Sequence, residues 1–206
     1  MDIKILNNYY NDQNTYLIYQ NGIGAVIDVG YNESEIIKEA ENLGVEIKYI
    51  LLTHCHYDHI EFMEELREKN GAKLVSSELT SDNIQNPDIN LSLAGLGRKI
   101  YAKKSEITLA DGEVINIGDM EVKCIHTPGH TNGGVCFLVE DNLFAGDTLF
   151  LRSCGRWDLP TGDEHILAES IKNKLYTLDE GITVYPGHGK STTIGYEKKF
   201  NMIIKG

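Results

Sequence analysis

Tyr49-Ile50-Leu51-Leu52-Thr53-His54-Cys55-His56-Tyr57-Asp58-His59 decides how this chain is read. A charge-free apolar run ends at Leu52, and three imidazoles and a carboxylate follow within the next seven residues. Ionisable groups rarely cluster so tightly without a cause, and His with Asp is a ligand set for a transition metal. Four such side chains leaving one strand end can divide between two cations. Three later motifs supply matching partners: Thr127-Pro128-Gly129-His130-Thr131, Gly146-Asp147-Thr148 and Pro186-Gly187-His188-Gly189. Metal-assisted hydrolysis is the expectation.

Length and composition bound the rest. The 206 residues make a single domain spanning 1–206, large enough to bury a core without disulfides or a structural metal. The metal is therefore expected to be catalytic. A formal charge of −12 disfavours nucleic acid, whose binding normally needs a basic patch to displace counterions. The first residues, MDIKILNNYYNDQ, lack a basic region followed by an apolar core, and no run is long enough to span a bilayer. A cytoplasmic location without a membrane partner follows as an expectation. Cys55, Cys124, Cys136 and Cys154 form no CxxC pair and would remain thiols there.

Residues 3–7, 14–20 and 23–29 are β-rich and separated by polar turns, which predicts an antiparallel meander. Glu33 to Leu43 carries Ile36, Ile37, Ala40 and Leu43 at helical spacing, closed by Gly44, and Glu46 to Thr53 follows as a buried strand. Residues 59–69 predict a helix. Ser77 to Lys104 predicts a loop-rich insertion near the site. Strands near 113–116, 120–126, 134–139 and 142–146, a helix over 163–178 and a last strand at 183–185 complete the second half. Two β-rich halves with outer helices suggest layers, with every candidate ligand in a segment that follows a strand.

These residues carry a resemblance. The four motifs, in this order and at these spacings, are similar to those of the metallo-β-lactamase superfamily over nearly the whole chain. The resemblance implies an α/β fold, a four-layer αββα sandwich with a dinuclear site between its sheets. It implies that His54, His56 and His130 hold one metal, that Asp58, His59 and His188 hold the other, and that Asp147 bridges. Asp58 and Asp147 are then the catalytic carboxylates. One departure is visible: the family motif usually continues with a Gly-Gly pair where this chain has Glu61-Phe62.

Imidazoles and carboxylates suit two divalent transition metals, zinc first, with iron or manganese as alternatives. A water shared between such metals can titrate near about 7, which gives a nucleophile without a serine or cysteine. GDTLFLRSCGRWDLPTGD (146–163) and PGHGKSTTIGYEKKFN (186–201) resemble short hydroxyacylglutathione hydrolases of glyoxalase II type, which favours hydrolysis of a small acyl thioester. THCH (53–56) followed by DHI (58–60), and LRSCGR (151–156), also resemble the persulfide dioxygenases, whose single iron would here lie on His54, His130 and Asp147, whereas TTIGYE (192–197) is more like the hydrolases. A third expectation is a metal-binding protein without turnover.

His126 and His165 match no ligand position, and His126 is at most a partner to a ligand. Cys55 lies between two ligands, but alternation along an extended segment turns it away from them. Arg152, Arg156 and Lys190 are candidates for holding a substrate carboxylate, although Arg156 and Asp158 are also placed to pair with each other.

Overall fold

Alternation with period two sends Leu17, Val26, Ile50 and Leu74 to one side of their strands and Ile18, Ile27, Leu51 and Val75 to the other, and all are buried. A sheet apolar on both faces must be covered on both. The computed structural model, which describes all 206 residues, shows how. Strands β1 (Asp2–Asn8), β2 (Gln13–Gln20), β3 (Ile23–Ile27), β4 (Glu46–Leu51), β5 (Lys73–Ser76) and β6 (Ile107–Thr108) form the first sheet in that order. Its first three strands are the expected antiparallel meander, and β3 to β6 pair in parallel.

The second sheet begins with antiparallel β7 (Val114–Ile117), β8 (Met120–His126), β9 (Val135–Val139) and β10 (Asn142–Gly146). The chain then makes a hairpin, β11 (Leu149–Phe150) and β12 (Ser153–Cys154), before returning as β13 (Thr183–Pro186), parallel to β10, and β14 (Thr192–Thr193). Three apolar layers result. Ile36 and Ala40 of α1 (Glu33–Leu43), Ile60 of α2 (Tyr57–Ile60), and Met63 and Leu66 of α3 (Met63–Asn70) cover the outside of the first sheet. Ile18, Ile27 and Leu51 meet Val122, Phe137 and Phe144 between the sheets.

Short helices α4 (Glu78–Asn83) and α5 (Ser92–Leu96) follow β5. Outside the second sheet, Leu143 and Ala145 pack on Leu167 of α6 (Glu164–Ser170), on Ile171 and Leu175, and on Ile194 of α7 (Ile194–Phe200). This is the αββα order of layers. Each fully buried Leu, Ile or Phe contributes roughly 1.5–3 kcal/mol, so truncating Phe137, which no solvent reaches, would cost about 3–5 kcal/mol. No helix is long and apolar enough to cross a membrane.

Several elements differ from expectation for identifiable reasons. Residues 59–69 form two helices, because the Val29 N–H donates to the His59 carbonyl and the Phe62 N–H donates to the Val29 carbonyl. Those tertiary bonds use groups that a continuous helix would pair internally. Strand β3 stops at Ile27, since Asp28 is left-handed at φ 53°. The 77–104 segment is more ordered than a loop: buried Asn90 donates to the Ile84 and Ile100 carbonyls, both at 3.0 Å, and its Oδ1 accepts the Ser92 N–H. The helix expected over 163–178 ends its α-helical part at Ser170 and continues as a π-helical turn over Ile171–Leu175.

Candidate metal centre

The motif-bearing turns meet at one edge of the sandwich, stitched to one another by backbone bonds. The Val135 N–H donates to the Thr53 carbonyl at 2.9 Å, the Gly187 N–H to Gly146 at 2.7 Å and the Asn14 N–H to Gly187 at 2.8 Å. Gly187 has no room for a side chain: a Cβ there would come within 2.1 Å of Asp147 Oδ1. Six of the seven ligand positions expected from the sequence fall here in two clusters, a third grouping of Asp28, His54 and His59 joins the two, and Asp147 lies beside both.

His54, His56 and His130 form the first cluster, with ligand atoms within 4.8 Å of one another and all three side chains buried. The Thr53 hydroxyl donates to Asp28 Oδ2 at 2.7 Å and so can accept the His54 Nδ1–H at 3.0 Å. That leaves His54 Nε2 buried and unpartnered. His130 donates through Nδ1 to the Arg156 carbonyl at 2.6 Å, and its bare Nε2 faces His56 Nδ1 at 2.9 Å.

Asp58, His59 and His188 form the second cluster, where Asp58 and His188 reach solvent. His59 donates through Nδ1 to Asp28 Oδ2 at 2.8 Å, and His188 through Nδ1 to the Asn11 carbonyl at 3.0 Å. Their Nε2 atoms stand 3.4 Å apart, and His188 Nε2 is 3.2 Å from Asp58 Oδ2. Asp147 lies between the clusters. Its Oδ2 is 3.6 Å from His130 Nε2 and 3.7 Å from His188 Nε2, while Oδ1, 3.4 Å from His59 Nε2, has no hydrogen-bond partner.

Burial and the neighbouring His59 hold His54 well below its usual range, and burial with His130 pushes His56 down to about 3. Both are neutral at pH 7, the form in which an imidazole can ligate a metal. Burial alone would raise Asp147, but His59 and His188 hold it well below the usual carboxylate range. Burial would likewise lower His59, yet Asp147, Asp28 and Asp58 raise it well above its usual value. Three carboxylates thus demand positive charge at His59, which a divalent cation can supply in place of a proton. Orphaned acceptors, bare nitrogens with fixed outer partners and converging carboxylates all fit a metal centre.

Asp28 is the functional residue that motif reading missed. Its Oδ1 accepts the Thr53 N–H at 2.8 Å and its Oδ2 serves Thr53 and His59, so one carboxylate orients a ring in each cluster. A signal existed in Ala25-Val26-Ile27-Asp28-Val29, an acid embedded in an apolar run. His126 donates from Nε2 to the Leu109 carbonyl at 2.9 Å and takes no part, and His165 is exposed on α6. Cys55 is buried in the apolar layer beneath the helices. Arg156 Nε and Nη2 pair with Asp158 at 2.9 Å, whereas Lys190 forms no ion pair and Arg152 Nη2 lies 3.6 Å from Met202 Sδ.

An αββα sandwich with paired His/Asp clusters at one edge is the architecture of a metallo-hydrolase. Residues 9–188 match the metallo-beta-lactamase superfamily domain, and the chain belongs to that superfamily. Hydroxyacylglutathione hydrolase GloC of Haemophilus influenzae is 32% identical over 213 residues, spanning 99% of this chain and 98% of that protein. The crystal structure of the BLEG-1 B3 metallo-beta-lactamase superposes with a TM-score of 0.94 at 32% identity, covering 100% of both chains. ETHE1 from Myxococcus xanthus superposes with a TM-score of 0.85 at 26% identity, over 99% of this chain and 84% of that one.

Proposed function

We propose that this protein is a dinuclear metal-dependent hydrolase that cleaves a small acyl thioester. The observation that carries the reading is Asp147, whose two oxygens face both clusters. His54, His56 and His130 would hold one metal, and Asp58, His59 and His188 the other, with Asp147 reaching both. Metals bound there, zinc first by donor type, would lower the pKa of a water toward about 7 and polarise the thioester carbonyl. The name of the GloC relative supports the thioester as substrate.

The chain's own groups do the positioning. Asp28 with Thr53, the Arg156 carbonyl and the Asn11 carbonyl fix the rings of His54, His59, His130 and His188. Asp58, held below the usual carboxylate range by His59 and His188 despite its burial, stays ionised at the solvent side. There it can take the proton that water gives up on adding to the carbonyl. The C–S bond then breaks, giving a carboxylic acid, which ionises in water, and a thiolate, which takes the proton back from Asp58 to become the thiol. A thiolate leaves near neutral pH without a strong acid, because thiols titrate at about 8.5. The reading carries a cytoplasmic location with it, where the four buried cysteines stay reduced.

The likeness to ETHE1 favours a second reading, a persulfide dioxygenase with one iron on His54, His130 and Asp147. Metal analysis with a panel of acyl thioesters, a β-lactam and a glutathione persulfide separates them. Two metals per chain with thioester turnover is the expected result. One iron with persulfide-dependent oxygen uptake would replace it, and two metals without turnover on any substrate would leave a metal-binding protein.

A further inference from the structure

Glu197 on α7 is a fully buried carboxylate that neither cluster uses. No lysine or arginine pairs with it, since its helix neighbours Lys198 and Lys199 turn to Glu180. Burying a carboxylate without a cation is costly unless neutral donors surround it. Three do so. The Thr192 hydroxyl donates to Oε1 at 2.6 Å, while the Arg152 backbone N–H and the Asn201 side-chain amide each donate to Oε2 at 2.8 Å. Thr192 lies on β14, Arg152 at the tip of the β11–β12 hairpin and Asn201 just after α7.

The first two of these stretches lead directly to metal-cluster residues. The hairpin leaves from Asp147 and returns at Arg156, whose carbonyl accepts the His130 Nδ1–H. Gly155 passes so close that a Cβ there would lie 1.9 Å from the Asp147 carbonyl oxygen and 3.0 Å from His130 Nδ1. At the tip, Arg152 is left-handed at φ 60°, a conformation that a non-glycine residue keeps only when its surroundings impose it.

The end of the chain imposes it. Glu197 takes the Arg152 N–H, the Met202 N–H donates to the Arg152 carbonyl at 3.2 Å and Asn201 Nδ2 donates to the Ser153 carbonyl at 2.9 Å. On the other arm, Thr192 follows His188 closely in sequence and pairs with Val184 of β13. The loop carrying His188 is thereby pinned between β13 and Glu197.

We infer that Glu197 is a positioning residue for the metal centre. One buried carboxylate sets the hairpin that carries Asp147 and orients His130 against the loop that carries His188, and so holds the two clusters in register. The inference rests on the two-metal reading above, but it can be read out without a substrate. A carboxylate suits the task because both oxygens accept, whereas a primary amide accepts at one only.

Glu197→Gln keeps the shape and removes one acceptor. Tyr176→Phe is the control: the single Tyr176 O–H is shared between the Ile204 carbonyl at 2.8 Å and the Glu197 carbonyl at 3.2 Å, anchoring the same tail without bonding to the hairpin or the His188 loop. Apo-protein is titrated with Zn(II) against a competing chelator, and with Co(II) by visible absorption, after circular dichroism has shown both variants folded. Glu197→Gln should weaken at least one Zn(II) site by about 10-fold or more and alter the Co(II) spectrum, with Tyr176→Phe at wild type in both. Unchanged Zn(II) affinity in Glu197→Gln, or equal weakening in the two variants, makes Glu197 a fold anchor and overturns the inference.

If Glu197→Gln does not fold, Thr192→Val removes a single donor and is titrated in its place. Wild-type Zn(II) affinity in that variant would overturn the inference, and a weakened site would support it. Should the wild-type protein bind only one zinc, the two-metal hydrolase fails by itself. The positioning role then stands or falls on whether Glu197→Gln weakens that one site.

Discussion

The two clusters differ in kind. The first is built from imidazoles alone, all buried, with the outer nitrogens of His54 and His130 fixed by Thr53 and the Arg156 carbonyl. The second carries a carboxylate and opens to solvent, its His188 and Asp58 side chains being 25% and 17% exposed against 7% for His130. A dry set of imidazole nitrogens is pre-organised, whereas the second set, with a carboxylate and two partly exposed side chains, is reachable from solvent. On the proposed hydrolase reading, substrate would approach from the side of the second cluster, with the first cluster as its fixed floor.

Removing the residue the clusters share should have the largest effect. Asp147→Ala takes a ligand from both, so metal content should fall well below two per chain and thioester hydrolysis by more than about 1,000-fold. A variant that still carried two metals at wild-type affinity would show that Asp147 does not bridge.

Asp58→Ala tests the difference between the clusters most directly. The first should keep its metal and the second lose occupancy, with hydrolysis falling at least about 100-fold, the usual scale when a group positioning the reactive species is lost. Metal content and rate are measured together, on thioester and on persulfide. Near-wild-type thioester hydrolysis would sink the dinuclear mechanism, and intact iron with persulfide-dependent oxygen uptake would install the mononuclear one.

Asp28→Asn comes next, because it disturbs the support and leaves every ligand in place. An amide at this position would offer one acceptor oxygen where the Asp28 carboxylate serves Thr53 and His59 with two, so Zn(II) affinity should weaken about 10–100-fold. The His59 side should suffer more, since His59 bonds to Asp28 directly and His54 only through Thr53. Equal weakening of both sites in a chelator competition would mean that Asp28 acts through the fold.

Asp28 also marks where the sequence stops being legible. Ligand positions could be read because each lies in a short motif with a distinctive residue set, and the layers because two β-rich halves are accompanied by helical spacings such as Ile36, Ile37, Ala40 and Leu43. The support comes from far along the chain: Asp28 reaches Thr53 across 25 residues and His59 across 31. No local pattern encodes such a contact. The same is true of the break at Glu61-Phe62, which the Val29 backbone imposes, and of the 77–104 segment, which buried Asn90 organises. The Arg156 guanidinium could not be assigned from sequence, and the structure pairs it with Asp158.

Cys55→Ser should change the rate least, though Cys55 sits between His54 and His56 in the first cluster. Alternation sends its thiol into the apolar layer under α1 and α3, where no solvent reaches it. Burial pushes that thiol up to about 12, so at neutral pH it is neither a thiolate nucleophile nor a thiolate ligand. A serine hydroxyl there lacks an apolar partner's tolerance for burial and should cost about 1–3 kcal/mol of stability. Metal content should remain at two and kcat/KM per folded protein within about 3-fold of wild type, since the water nucleophile needs no cysteine. Lost turnover with both metals retained would instead bring Cys55 into the chemistry and end the picture of the first cluster as a passive floor.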